Sequence, residues 1–196
     1  MYGLVRNYNL TKVCSLRIAR HFAVGSPKHV EVVESRARTP QSKFSCDIIS
    51  GNHTIVSDLT KLADGNDLGP SPKELLMSAL GSCTAMTIRT VYENSKALAE
   101  RNQHDTVSSR NGLGGWAGST LDEIRVKVEE SGNHPHVPDK LSIRIELKGK
   151  LTAEQKRSLL KASSNCPVKT MLTNGVGVEF HIDNARLTSS TDDPLD

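Results

Sequence analysis

Residues 69–86 of this 196-residue chain read GPSPKELLMSALGSCTAM, and this stretch decides the fold. Ser71 is a favoured N-cap residue, Pro72 suits the first helical position, and Glu74 completes a capping box with Ser71. The pattern predicts a helix from Pro72 to about Ala97. The twelve residues that follow Glu74 carry no charge, and a helix that is apolar on nearly every side belongs in the centre of a domain.

Strands are predicted on both sides of this helix, from β-branched and apolar stretches bounded by turn residues. They cover residues 29–35, 44–50 and 53–59 before the helix, and residues 124–129, 141–148 and 176–182 after it. A second capping box, Thr152 with Gln155, predicts a helix to about Ser163, and Cys166-Pro167 opens a short helix to Leu172. Strands interrupted by helices, with hairpin-like spacing, indicate an α+β fold.

The chain length suits one domain with its own core. Residues 102–120 are polar and rich in glycine, so they are predicted to form a long surface loop that carries the only tryptophan, Trp116. We place the domain at residues 28–187. Residues 188–196 are polar and are predicted to be a disordered tail.

The charge distribution argues against a nucleic-acid partner. The net charge is +3, but residues 1–30 contain five basic residues and no acidic one. The rest of the chain then has 20 basic against 22 acidic residues, so the body of the protein lacks a basic binding surface. No apolar run approaches the roughly 20 residues that a membrane-spanning helix needs, and no membrane partner is expected.

The N-terminal segment has the composition of an organelle transit peptide. It is basic, free of acidic residues and able to form an amphipathic helix, and Arg20-His21-Phe22-Ala23-Val24-Gly25 resembles a mitochondrial processing site. We therefore exclude residues 1–27 from the fold and expect the mitochondrial matrix as the location. The alternative is a frayed terminus of a cytoplasmic protein.

Four cysteines occur, at positions 14, 46, 83 and 166. None belongs to a Cys-x-x-Cys pair and no histidine lies at zinc-ligand spacing, so a metal site is not expected. Local sequence alone favours a buried core thiol for Cys83, which would then be inert. Cys166 falls at a helix N-cap, where the helix dipole favours a thiolate, and a core thiol and a reactive one are equally compatible with that position.

Three motifs resemble those of the OsmC/Ohr family. Residues 69–86 resemble the family's central helix, and residues 147–155 (LKGKLTAEQ) resemble the strand and helix that follow it. Residues 162–172 (ASSNCPVKTML) resemble the second cysteine motif, and Asp64-Gly65-x-Asp67 resembles the loop before the helix. The resemblance covers about residues 30–183.

The resemblance implies an intertwined homodimer with active sites at the subunit interface, and a two-cysteine peroxidase. Cys83 would attack an organic hydroperoxide and become a sulfenic acid, and Cys166 would resolve it to a disulfide. A dithiol, typically a lipoyl group in Ohr-type members, would reduce that disulfide. No metal, flavin or haem cofactor would be needed.

The chain departs from the Ohr-type pattern at the start of the central helix. Those members place a glutamate directly after the proline, where it pairs with a catalytic arginine, whereas this chain has Lys73 there and Glu74 one position later. Glu74 is therefore a candidate catalytic residue that capping alone also explains. The arginine would come from Arg36 or Arg38, and we favour Arg38. For either arginine, a solvated turn residue is an equally good explanation.

Two further functions remain compatible with the sequence. One is a non-enzymatic redox sensor or small-molecule-binding protein on the same scaffold. The other is a structural dimer with two incidental buried cysteines. The pair of cysteine motifs favours the peroxidase and the sensor over the structural dimer.

Overall fold

A computed structural model describes residues 30–34, 43–101, 113–132 and 138–180 of the chain. In these ranges the strands are β1 (Glu31–Glu34), β2 (Cys46–Ser50), β3 (His53–Ser57), β4 (Glu123–Ser131) and β5 (Lys140–Lys148). The helices are α1 (Pro72–Arg101), α2 (Ala153–Ser163) and α3 (Pro167–Asn174). Short 3-10 helices occupy Lys61–Ala63 and Leu113–Trp116. The predicted α+β fold is confirmed.

The central helix α1 begins where the capping box predicts. The backbone N–H of Ser71 donates to the Glu74 carboxylate at 2.8 Å, and the N–H of Glu74 donates to the Ser71 hydroxyl at 3.4 Å. Both bonds satisfy N–H groups that lack a partner inside the first helical turn. The helix continues four residues beyond the predicted end, to Arg101.

The loop before α1 is held by a buried carboxylate. Asp58 is buried and accepts hydrogen bonds from the backbone N–H groups of Leu59, Asn66 and Leu68, at 2.8 to 3.3 Å. A Cβ atom at Gly65 would overlap the carbonyl oxygen of Leu59, so the backbone can fold this closely only without a side chain there. The loop therefore presents α1 in one defined orientation.

The N-terminal strands form an antiparallel sheet in the order β1-β2-β3. A turn at Gly51-Asn52 joins β2 to β3, and Gly51 has a φ of 58°, which glycine adopts without steric cost. The register aligns Val32 with Ile48 and Ile48 with Ile55. These three residues therefore form one apolar row across the sheet.

Strands β4 and β5 form an antiparallel hairpin that packs on α1. Apolar residues alternate with charged or polar ones along both strands, the pattern of a sheet with one buried face. The paired apolar residues are Ile124 with Leu147, Val126 with Ile145, and Val128 with Ile143. The alternating charged residues form ion pairs, such as Arg144 with Glu129 at 3.1 Å.

Helix α2 begins at the predicted capping box. The Thr152 hydroxyl accepts from the backbone N–H of Gln155, and the Gln155 side chain accepts from the N–H of Thr152 at 2.7 Å. The Gln155 amide also donates to the carbonyl oxygen of Gly115 at 2.6 Å. One residue thus caps α2 and fastens the segment that precedes β4.

The larger hydrophobic cluster surrounds the second half of α1. Its buried members are Ile88, Val91, Tyr92, Ala99, Trp116, Leu121 and Leu159. The prediction of a surface loop is therefore wrong at Trp116, which is buried and meets the Tyr92 ring edge-on at 6.0 Å. Burial of such a large aromatic ring removes much apolar surface from water. Residues 102–112 of that predicted loop lie outside the described residues.

The prediction of a final strand at residues 176–182 is wrong for residues 176–180. They follow Gly175 without regular structure, and Val178 and Phe180 are exposed. A strand needs a neighbour for its backbone hydrogen bonds, and none of the described strands pairs with this segment. Residues 181–182 lie outside the described ranges. Among the helices that the structure describes, none has the length and apolar character to cross a membrane.

Candidate functional site: two buried thiols

Cys83 lies in the first half of α1, on the face that the helix turns toward β4 and β5. Leu80, one turn earlier, is on the same face and is also buried. Only 6% of Cys83 is exposed. The β4–β5 hairpin contributes apolar side chains next to it: Val128, Leu141 and Ile143 pack against the cluster that contains Cys83.

Cys166 is the N-cap residue of α3, as predicted, with Pro167 at the first helical position. Its side chain is fully buried and makes no capping hydrogen bond. It packs in the same cluster as Leu80 and Cys83, close enough to affect the pKa of the Cys83 thiol. The fold thus brings together the two cysteines named from the sequence. We call Leu80, Cys83 and Cys166 the thiol cluster.

The surroundings of Cys83 in the thiol cluster disfavour its charged thiolate form. Removal from water raises the pKa of Cys83, and the hydrogen bond with Cys166 raises it further, to about 11. Reactivity requires the thiolate, so these apolar surroundings must be offset by hydrogen-bond donors or by a cation.

Two donors that the sequence analysis missed act in that direction. The backbone N–H of Val168, at the start of α3, and the Thr87 hydroxyl lie close enough to the Cys83 thiol to act on its pKa. Both lower the pKa of Cys83. The N-terminus of α3 therefore acts on Cys83, whereas the sequence pattern predicts that its effect falls on Cys166. Thr87 could have been found from its position four residues after Cys83.

Glu74 lies away from the two thiols. Its carboxylate accepts hydrogen bonds from the hydroxyl and the backbone N–H of Ser71, at 2.7 and 2.8 Å, and these bonds lower its pKa. Nine residues separate it from Cys83, which places it about 180° around the helix. Lys73 is paired with Glu130 at 2.9 Å. The described geometry thus gives Glu74 a capping role.

An open groove of about 730 Å³ runs along α1 on the flank that carries Glu74. Neither Cys83 nor Cys166 lines it. Val128 lies between the two sites, since it lines the groove and also packs against the thiol cluster. The groove and the buried thiols are therefore separate features of the described chain.

Arg36 and Arg38 lie outside the described residues, as do His134 and His136, so the role of Arg38 stays a prediction. Cys46 is half-buried in β2, and its thiol contacts the carbonyl oxygen of Phe44 at 3.7 Å. Within the described ranges no group of histidine, cysteine or acidic residues is arranged to hold a metal ion.

The pattern of the family described as OsmC-like protein matches residues 64–181. This chain belongs to the OsmC-like protein family. The match covers more than half of the chain and includes Glu74, Cys83 and Cys166, whereas Arg36 and Arg38 precede it.

Several solved structures resemble this OsmC-like chain at low identity. A hypothetical protein from Aquifex aeolicus is 17% identical, with a TM-score of 0.48 and with 75% of this chain and 87% of that one covered. A putative osmotic stress induced and detoxification response protein from Psychrobacter arcticus is 17% identical, with a TM-score of 0.49 and coverages of 72% and 85%.

The organic hydroperoxide resistance protein OsmC from Legionella pneumophila is 13% identical to this OsmC-like chain. Its TM-score is 0.44, and 74% of this chain and 87% of that chain are covered. No curated protein matches the sequence.

Proposed function

We propose that this OsmC-like protein is a thiol-dependent peroxidase that reduces organic hydroperoxides. The observation that carries the proposal is that Cys83 and Cys166, which are 83 positions apart in sequence, pack together in one buried cluster. Membership of the OsmC-like family and the description of the Legionella relative as an organic hydroperoxide resistance protein support it.

In the oxidative half of the cycle, one hydroperoxide is reduced to an alcohol and the two thiols lose two electrons to form a disulfide. The Cys83 thiolate attacks the outer oxygen of the hydroperoxide, the O–O bond breaks, and the alkoxide takes a proton and leaves as the alcohol. Cys83 is then a sulfenic acid, and the Cys166 sulfur displaces its hydroxyl as water to form a disulfide. An external dithiol reduces that disulfide and becomes oxidised itself.

The Cys83 thiolate needs more stabilisation than the described cluster provides. Val168 and Thr87 oppose the effect of burial, but the pKa of Cys83 remains at about 11. A guanidinium close to the sulfur would lower that pKa. We propose that Arg38 supplies this charge.

The reductant that we propose is a dithiol carried by a protein, of the lipoyl type that Ohr-type members use. Such a carrier suits the mitochondrial matrix, the location that we propose from the basic, acid-free residues 1–30.

We also propose that the working protein is a homodimer. Val32 and Ile55, at the ends of the apolar row on the N-terminal sheet, are exposed in the single chain, and Val178 and Phe180 are exposed after α3. Burial of such surface in a second subunit is favourable.

Sedimentation velocity of the full chain should give a dimer. Val32→Glu should weaken this dimer, and Lys61→Glu, on the exposed 3-10 helix, should leave it unchanged. A monomeric wild-type protein would exclude this assembly.

The function is tested by single-turnover oxidation of the reduced full chain with cumene hydroperoxide and, separately, with hydrogen peroxide. Thiol count and peptide mass are followed in the wild type, Cys83→Ser and Cys166→Ser. We expect rapid loss of two thiols and a disulfide between Cys83 and Cys166, no fast reaction in Cys83→Ser, and persistent sulfenic acid in Cys166→Ser. Arg38→Ala should slow the reaction at least tenfold, with Arg36→Ala as the matched control.

Wild-type protein that loses thiols no faster than free cysteine would overturn the peroxidase. In that case we infer a small-molecule-binding protein on the same scaffold, since burial raises the pKa of Cys83 and a thiol without thiolate character is inert. A redox sensor would instead lose its thiols to peroxide but would not cycle: with excess dihydrolipoamide, a peroxidase consumes many equivalents of peroxide and a sensor consumes one.

A further inference from the structure

The Thr87 hydroxyl lies beside the proposed reactive sulfur in an otherwise apolar place. Thr87 is one helical turn after Cys83, so the two side chains share a face of α1, and Thr87 is fully buried. Its hydroxyl donates a hydrogen bond to the carbonyl oxygen of Cys83 at 2.8 Å. The hydrophobic cluster that contains Cys83 also includes Cys166 and, packed against it, apolar side chains of the hairpin and Val168 of α3.

The hydrogen bond that Thr87 makes to the backbone is not required by the helix. Within an α-helix the carbonyl oxygen of Cys83 already accepts from the backbone N–H of Thr87, so the hydroxyl adds a second bond to a satisfied acceptor. A threonine hydroxyl carries one hydrogen, which rotates to suit its surroundings. The same hydroxyl also acts on the Cys83 thiol, one helical turn away, and lowers its pKa.

We propose that Thr87 is a thiolate-stabilising residue, whose hydroxyl hydrogen turns from the Cys83 carbonyl oxygen to the Cys83 sulfur when the thiol loses its proton. This inference rests on the proposed function, since it takes Cys83 to be the reacting thiol. With the N–H of Val168, it gives the buried thiolate two donors, one from α1 and one from the start of α3. The carbonyl oxygen keeps its backbone partner throughout.

The physical need for this donor comes from burial. A charge taken out of water is costly unless hydrogen bonds replace its hydration. Among the described residues, Cys166 is the titratable group that acts on the Cys83 thiol, and its effect raises the pKa of Cys83. Thr87 and Val168 are the groups that lower it.

Thr84 provides a matched control for the experiment. It is also buried on α1, and its hydroxyl donates to the carbonyl oxygen of Leu80 at 2.8 Å. The local geometry is therefore the same, but the residue one turn earlier has no thiol. Thr87→Val and Thr84→Val remove equivalent hydroxyls with little change in side-chain shape, and Thr87→Ser keeps the donor.

The measurement is the rate of iodoacetamide alkylation of Cys83 in the reduced full chain as a function of pH, read from the mass of the Cys83 peptide. We expect Thr87→Val to move the midpoint upward by about one pH unit, since a hydrogen bond to a charged group has about that effect. Below the midpoint this is about a tenfold slower reaction. Thr87→Ser should stay near the wild type, and Thr84→Val should not move.

An unchanged midpoint in Thr87→Val, or an equal shift in Thr84→Val, would show that the hydroxyl stays on the backbone and would overturn the inference. Thr87→Ala repeats the deletion if the valine variant does not fold. Alkylation does not depend on peroxide, so a protein that fails to reduce peroxides still tests the role of Thr87. The two proposals can therefore fail separately.

Discussion

The two halves of helix α1 differ in the clusters that they pack into. The second half, from Ile88 onward, packs into a cluster of seven buried residues that includes Trp116 and Leu159. The first half contributes to a thiol cluster of three, and its Leu76 and Met86 stay exposed. The buried apolar contacts are thus concentrated in the second half, while the first half carries Cys83 and exposed apolar side chains.

The largest expected effect separates these halves by stability. Ile88→Ala should lower the free energy of unfolding by about 2–5 kcal/mol, because it leaves a cavity in the larger cluster. Met86→Ala, two residues earlier and exposed, should change it by less than about 0.5 kcal/mol. Urea unfolding of the two variants checks this difference, and equal losses would show that the halves are packed alike.

The next effect belongs to the thiol cluster and depends on pH. The folded state raises the pKa of Cys83 from its ordinary value of 9.0 to about 11, so above pH 9 the unfolded chain releases this proton first. The contribution of the buried thiol is full below pH 9 and should be lost as the pH rises toward 11, by roughly 2 kcal/mol.

The check is the urea midpoint at several values between pH 8 and pH 11, with reductant present, for the wild type and Cys83→Ser. The variant lacks this titration, so its stability should fall less over the interval. Parallel curves would mean that Cys83 titrates in the folded protein as it does in the unfolded chain.

A smaller loss of stability should affect the larger hydrophobic cluster and leave the thiol cluster unchanged. Thr152→Ala removes one side of the capping box of α2 and should cost about 1 kcal/mol, and Thr152→Ser should restore it. Leu159 of helix α2 is a buried member of the larger cluster. The alkylation rate of Cys83 should therefore stay the same, and a changed rate would show that the clusters are coupled.

The smallest effect concerns Glu74. Glu74→Gln keeps an acceptor for the Ser71 N–H, so the capping box survives and the urea midpoint should hardly move. The single-turnover rate with cumene hydroperoxide should stay within about twofold, because the carboxylate lies on the far side of the helix from Cys83. A tenfold slower reaction with unchanged stability would instead assign Glu74 to the reaction.

Local features were predictable because their causes lie within a few residues. The capping boxes at Ser71 and Thr152 involve side chains three positions apart, and they placed the starts of α1 and α2 correctly. The alternation in β4 and β5 gave the hairpin for the same reason. The N-cap position of Cys166 follows from Pro167 beside it.

The predictions were wrong where the conformation depends on residues that are distant in sequence. Trp116 looks like part of a polar loop, but Tyr92 and the core around it offer an apolar surface for its ring. Residues 176–180 have the composition of a strand, but none of the described strands lies beside them to accept their hydrogen bonds. Neither neighbour can be recognised from the residues adjacent in sequence.

The sequence by itself determined that this chain is an OsmC-like α+β protein with a long central helix and two cysteine motifs, because caps, alternation and motif residues are local. The tertiary structure decided what surrounds each thiol. Packing of α3 against α1 and the hairpin places Cys166 and the Val168 N–H at the Cys83 sulfur. Burial there raises the pKa of Cys83, a property that depends on the whole packed cluster.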